Sequence, residues 1–242
     1  MIIEQHPNVA PISHRDKEEH GYLKFVPSHN SEEISILQFL GSINSDNNHT
    51  ARPVKVWPVN GGTIVSMPVL GGHSHNYAKL EENLHSVVGQ LVDGVSFMHR
   101  YGVAHLDLKP QNILVDGHGR LWIIDFGVSV QVKSIDDLRT GFVGTPGYTA
   151  PEVGEKYYSP IRADLWSCGN VIQELCKLCP PSMNQALLLG IGQELMNADP
   201  IQRCHLSDVA IRLKMMLDPK KVGMDKPKTH KGYHRKIQGI FL

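Results

Sequence analysis

No stretch of this 242-residue sequence approaches the roughly 18 consecutive apolar residues that a helical membrane span needs, so nothing reads as membrane-crossing. Its start, Met1-Ile2-Ile3-Glu4-Gln5-His6-Pro7, lacks a basic cluster followed by an apolar run, so no secretory leader is read and a cytoplasmic or nuclear chain is expected. Cysteine is scarce, and Cys168, Cys176, Cys179 and Cys204 do not make a disulfide framework. Cys176 and Cys179 form a C-x-x-C with Cys204 and His205 downstream, a spacing that zinc can use. They nevertheless end an apolar helical stretch, and buried thiols are expected there. Neither sign of charge is in excess, with 24 Lys/Arg against 24 Asp/Glu, which argues against a uniformly basic nucleic-acid binder. The balance is uneven, because nine Lys/Arg and two Asp/Glu fall from Arg212 onward. That end reads as a solvated tail, and nucleic acid is not an expected partner. Charged residues at 20% are too few for a disordered chain, and hydrophobic residues at 41% suffice for a core.

Hydrophobic periodicity divides what remains. Residues 1–20 are polar and show no period. Gly21–Val26 reads as a strand stopped by Pro27, and Ser31-Glu32-Glu33 reads as a helix start running through Leu40. Arg52–Trp57 and Thr63–Val69 read as strands joined at Asn60-Gly61-Gly62. Leu84, Val87, Val88, Leu91, Val92, Val95 and Met98 keep the spacing of a long core helix. A hairpin follows, with Ile113–Val115 and Leu121–Ile124 joined at Asp116-Gly117-His118-Gly119. Helices are expected over Asp164–Leu178, Met183–Asn197 and Ser207–Leu217. Trp57, Trp122 and Trp166 are expected to anchor the core. The resulting expectation is an α+β fold in two lobes. An irregular segment (1–20) precedes a small β-rich lobe (21–70), then a larger helical lobe (71–217) and a flexible basic tail (218–242). The seam falls near Leu70-Gly71-Gly72.

The chemistry concentrates in His105-Leu106-Asp107-Leu108-Lys109-Pro110-Gln111-Asn112, between the long helix and the hairpin. A carboxylate, an ammonium and an amide within six residues can accept a proton, steady an anion and hold a hard cation. After the second hairpin strand comes Asp125-Phe126-Gly127, where a carboxylate can bind Mg²⁺. Gly144-Thr145-Pro146-Gly147-Tyr148-Thr149-Ala150-Pro151-Glu152 completes the series in order.

Together these motifs resemble the signature set of the eukaryotic-type protein kinases. Asp164-Leu165-Trp166-Ser167-Cys168-Gly169 is similar to the family's D-x-W-S-x-G helix start, and Arg203 is placed like the arginine that pairs with the A-P-E glutamate, here Glu152. The resemblance implies a Ser/Thr protein kinase that uses ATP and Mg²⁺ and acts on a protein hydroxyl. It makes Asp107 the group that orients and deprotonates the acceptor, and Lys109 a γ-phosphate contact. It makes Asn112 and Asp125 the metal ligands. Thr145 resembles the threonine of Ser/Thr enzymes that contacts the catalytic Asp and Lys. Lys24, in a strand similar to V-A-I-K, would serve the α/β-phosphates and pair with Glu33. Ser66–Leu70, with Met67, would be the adenine hinge, and Leu114 would line the opposite side. His105 is expected to pack beneath the Asp-Phe-Gly turn.

Three departures accompany the resemblance. The expected G-x-G-x-x-G loop is missing, since only Gly21 precedes Lys24. That omission keeps a second reading in play, a pseudokinase that retains the fold as a binding module. Leu106 stands where an arginine usually neutralises an activation-segment phosphate, so phosphorylation at Ser134 or Thr140 is expected to matter little. Gln111 and His73 occupy places that are acidic where basic substrates are preferred, which points away from that preference.

Overall fold

The computed structural model describes residues 8–13, 20–68, 70, 80–155 and 157–217. In chain order the strands are β1 (Val9–Ser13), β2 (His20–Pro27), β3 (Lys55–Val59), β4 (Gly62–Pro68), β5 (Val103–Ala104), β6 (Ile113–Val115), β7 (Leu121–Ile123) and β8 (Val130–Gln131). The α-helices are α1 (Ser31–Ser42), α2 (Leu80–Arg100), α3 (Pro160–Lys177), α4 (Met183–Leu195) and α5 (Leu206–Leu217).

The first part is an antiparallel four-stranded sheet in the order β1-β2-β4-β3, with α1 packed against β2. Strand β1 corrects the reading of 1–20 as irregular. Val9–Ser13 pair with His20–Lys24, and Pro11 is tolerated because β1 is an edge strand. Strand β3 begins at Lys55 rather than Arg52, and Trp57 is 42% exposed on this other edge, so it is not a core anchor. Gly71, Gly72, His73 and the basic tail lie outside the described residues, as does Val69.

Helix α1 carries Glu32 and Glu33 in its first turn, where the helix dipole favours acids, and buries Ile36, Leu37 and Leu40. Its C-terminal carbonyls are satisfied by Asn48, whose amide nitrogen donates to Leu40 O at 2.8 Å and to Ile43 O at 3.0 Å. The same loop joins the two parts of the molecule. Ile123 N–H donates to His49 O at 2.7 Å, and Ala51 N–H to Ile123 O at 2.9 Å. Gly94 of α2 permits that crossing, because a Cβ there would lie 2.9 Å from His49 Cβ.

The second part is helical around α2, whose seven periodic apolar residues are all buried together with Phe97. Leu165, Val171, Ile172 and Leu175 of α3, Leu188 and Ile191 of α4, and Val209 and Leu213 of α5 complete one core with them. Helix α3 starts four residues earlier than its periodicity suggested. Ser159 caps it by accepting Arg162 N–H, and Pro160 supplies the fixed φ that suits a first turn. Cys168, Cys176 and Cys179 are buried, and none of the four thiols is in a disulfide. Among the described residues no three His, Cys, Asp or Glu side chains converge as metal ligands, and no helix is long and apolar enough to cross a membrane.

Candidate active site

The loop after β5 is bent by Leu106, whose φ of 64° lies in the left-handed region that a non-glycine residue enters at a cost of about 1–2 kcal/mol. One buried carboxylate holds that bend. Asp164, at the first turns of α3, accepts His105 N–H at 2.6 Å and Leu106 N–H at 2.7 Å, and lies 3.0 Å from His99 Nε2. His105 Nδ1 accepts Asp107 N–H at 3.2 Å, which leaves Nε2 to donate to Ile124 O at 3.0 Å. The imidazole also packs on Phe126 with ring centroids 5.0 Å apart, beneath the Asp-Phe-Gly turn.

Asp107 is fixed from three sides. Thr145 Oγ1 donates to its Oδ1 at 2.7 Å, and Lys109 Nζ donates to its Oδ2 at 2.8 Å. Asn112 Nδ2 donates to Oδ2 at 3.2 Å and to the Asp107 carbonyl at 2.9 Å. Lys109 also donates to Thr145 Oγ1 at 2.8 Å, which closes the ring. With its nitrogen committed to Asp107, the Asn112 amide keeps its oxygen for another ligand.

A second cluster forms around Lys24. Its ammonium donates to Glu33 Oε1 at 2.5 Å and to Asp125 Oδ1 at 2.7 Å. Burial alone would lower the Lys24 pKa, but the two carboxylates outweigh it and raise the value above the ordinary lysine value. Asn30 Nδ2 donates to Glu33 Oε2 at 3.2 Å. Asp125 has a φ of 65°, a second left-handed residue at the chemistry. Ile124 connects the clusters, because its N–H donates to Asn112 O at 3.0 Å while its carbonyl receives His105.

The segment from Asp125 to Glu152 is pinned at both ends. Gly144, at φ 92°, lies so close to the His105–Asn112 loop that a Cβ would come within 2.5 Å of Leu106 O. Leu106 itself is buried among Val132, Ala150, Val153 and Tyr158, so an apolar cluster fills the place of a phosphate-binding arginine. Arg139 and Tyr158 exchange backbone hydrogen bonds at 2.9 and 3.0 Å, and Ser159 Oγ donates to Ile135 O at 2.6 Å. Arg203 grips Glu152 with two parallel bonds of 2.6 and 2.8 Å.

The structure thus brings Asp107, Lys109, Asn112 and Thr145 into one cluster, and Lys24, Glu33 and Asp125 into another beside it. Met67 is the next-to-last residue of β4, opposite Tyr22 of β2, and Leu114 pairs with Trp122 across β6 and β7. The hydrogen bonds that hold the two clusters together involve neither side chain. Sequence reasoning assigned no role to Asn30 or His99 and none to the Asp164 carboxylate. Asn30 stands at the helix start three residues before Glu33, but its side chain makes no cap bond to α1 and donates to the Glu33 carboxylate instead, which capping patterns in the sequence do not foretell. The bonds of His99 and Asp164 are long-range and left no local pattern.

Residues 59–213 match the protein kinase domain family. The chain is 41% identical over 120 residues to CBL-interacting serine/threonine-protein kinase 21 of Arabidopsis thaliana, covering 49% of this chain and 28% of that protein. It is 47% identical over 104 residues to CBL-interacting protein kinase 16 of Oryza sativa subsp. japonica, covering 41% of this chain and 23% of that protein. The chain therefore spans less than a third of the length of these curated relatives, and Lys24 and Glu33 precede the family match. With that match over more than half of its residues, and with the loop, Asp-Phe-Gly turn and Glu152–Arg203 pair arranged around it, the chain belongs to the protein kinase domain family.

Proposed function

We propose that this chain transfers the γ-phosphoryl group of ATP to a serine or threonine hydroxyl of a protein, inside the cell. The observation that carries the reading is the Asp107 carboxylate. It is held by Thr145, Lys109 and Asn112 within one hydrogen-bonded cluster, beside the Lys24–Asp125 pair. The donor set suits the implied ligands. A carboxylate at Asp125 and an amide oxygen at Asn112 are the hard oxygen donors that Mg²⁺ takes alongside phosphate oxygens. The Lys24 and Lys109 ammoniums are the cations that a triphosphate needs. Bound Mg²⁺-ATP supplies the transferable phosphoryl group and neutralises part of its charge.

On this reading Asp107 orients the acceptor hydroxyl and takes its proton. Lys109 and Thr145 keep that carboxylate in one rotamer, and Lys109 also neutralises phosphate charge. Lys24, positioned by Glu33, contacts the α/β-phosphates. Met67 and Leu114 bound the adenine. A Ser/Thr acceptor is supported by the resemblance of Thr145 to the threonine of Ser/Thr enzymes that contacts the catalytic Asp and Lys, contacts that Thr145 makes with Asp107 and Lys109.

A second reading is favoured by one observation, the absence of a glycine-rich stretch before Lys24. Backbone N–H groups of such a loop cradle phosphates, and without them the fold would serve as a binding module. Transfer of radiolabel from Mg²⁺-ATP to a generic protein substrate, together with thermal shift on Mg²⁺-ATP addition, separates the two. The kinase reading expects labelling that falls about 10²–10⁴-fold in Asp107→Asn and is lost in Asp125→Asn. No labelling and no thermal shift in the unsubstituted chain would leave only the binding module.

A further inference from the structure

A cavity of about 400 Å³ lies between α1 and the approach to β3, and it shares no residue with the Asp107–Asp125 site. Gln38 and Gly41 form its helical wall. Gly41 lies in the last turn of α1, where a Cβ would meet Pro53 Cδ at 3.4 Å and Arg52 Cβ and Cγ at 3.9 Å, ordinary contact distances, so a larger side chain there would extend into this space. The facing wall holds Val54 and Val56 with two cations, Arg52 and Lys55, and among the described residues no acidic one lines the space.

Both cations lack ion-pair partners among the described residues. Arg52 Nε is buried with no hydrogen-bond acceptor, and Nη2 reaches Ile43 O only at 3.5 Å. Arg52 as a whole is half-buried, and a guanidinium with no close acceptor among the described residues can take an oxyanion through its Nη groups. Val54, just before β3, is 60% exposed, and Trp57 and Val59 of β3 are 42% and 39% exposed, on a strand whose outer edge has no partner among the described residues. Exposed apolar side chains on an open edge strand invite an added strand.

We propose that this edge and cavity dock an extended acidic peptide segment of a partner protein. A carboxylate of the segment meets Arg52 and Lys55, and an adjacent apolar residue enters the space between Gly41 and Val56. Charge selects this occupant over two others. The chain's own residues 218–242 carry seven Lys/Arg against two Asp and would be repelled. A two-fold contact between copies through this face would set like charges against each other.

Fluorescence anisotropy on the full chain tests this with labelled peptides of about eight residues, a strand's length. One alternates Glu and Val, and the other alternates Lys and Val. The Glu-Val peptide is expected to bind and to weaken as salt rises. Affinity is expected to fall about tenfold or more in Arg52→Glu/Lys55→Glu, and comparably in Gly41→Leu, which keeps both charges while its side chain enters the space against Pro53 and the Arg52 stem. Thermal melting checks that each variant folds, and if charge reversal unfolds the chain, Gly41→Leu decides. Equal binding of the Lys-Val peptide would overturn the proposal, as would undiminished binding by either folded variant, which would move the anion site to the basic tail. Preferential binding of a single-stranded oligonucleotide that is lost on charge reversal would also overturn it.

Discussion

Replacing Arg203 by alanine probes how the segment that ends at Glu152 is anchored to the helical core. Arg203 is 3% exposed, and its guanidinium fork makes four hydrogen bonds. Two go to the Glu152 carboxylate, one from Nη1 to Arg162 O at 2.8 Å, and one from Nε to Asn197 O at 3.0 Å. Alanine removes every donor at once and leaves a carboxylate that is only 16% exposed facing a void. Breaking a buried ion pair from one side costs about 3–5 kcal/mol. Because Glu152 keeps some water, the lower figure of about 3 kcal/mol is expected. At about 2–4 °C per kcal/mol for a domain of this size, Tm falls by about 6–12 °C. Urea denaturation followed by circular dichroism measures this directly. Arg203→Lys, which keeps the charge without the fork, is expected to lie between wild type and Arg203→Ala. The double variant Arg203→Ala/Glu152→Ala is expected to be less destabilised than the two single losses summed, because the stranded charge goes with its partner. A loss below about 1 kcal/mol for Arg203→Ala, the range of exposed pairs, would refute the reasoning.

Gly144→Ala places a Cβ 2.5 Å from Leu106 O at a φ that side chains rarely adopt. The segment should lift off the catalytic loop, with faster proteolytic cleavage between Lys133 and Phe142 and a fall in phosphotransfer. Thr140→Glu is expected to change activity less than about twofold in the kinase assay, because no arginine at residue 106 waits for the added charge and Leu106 sits in an apolar cluster; activation of many fold would contradict this. Burial lowers the His49 pKa below its ordinary value, against the opposing bond to Leu121 O and with Arg120 nearby. Its neutral form is therefore the folded one, so its contribution to stability is complete above the unfolded value near 6.5 and is lost as pH falls through the lower folded value. Urea midpoints should drop as pH is taken from neutrality to about 5, and His49→Gln should flatten that dependence; an unchanged slope would exclude His49 as its source.

Much of the fold was legible because it rests on local periodicity. The i, i+3, i+4, i+7 pattern from Leu84 to Met98 requires a one-sided core helix, and Asp116-Gly117-His118-Gly119 between apolar triplets requires a hairpin. Strand β1 was not legible, since Val9-Ala10-Pro11-Ile12-Ser13 has no strong alternation and becomes a strand only because β2 offers it an edge. Trp57 was misread for a related reason. Hydrophobicity says that a side chain gains by burial, but whether a strand lies at an edge is a property of the sheet.

The sequence by itself determined the order and chemistry of the acidic, basic and amide groups from His105 to Glu152. Those spacings are short enough that backbone geometry leaves few alternatives. Tertiary structure alone decided that Lys24 meets Asp125 across 101 residues, that Asp164 clamps the His105–Leu106 turn from α3, and that Arg52 and Lys55 share one open cavity. Such contacts depend on how helices and sheet pack after each has formed, and packing is set by the whole apolar surface at once, which no local window of residues records.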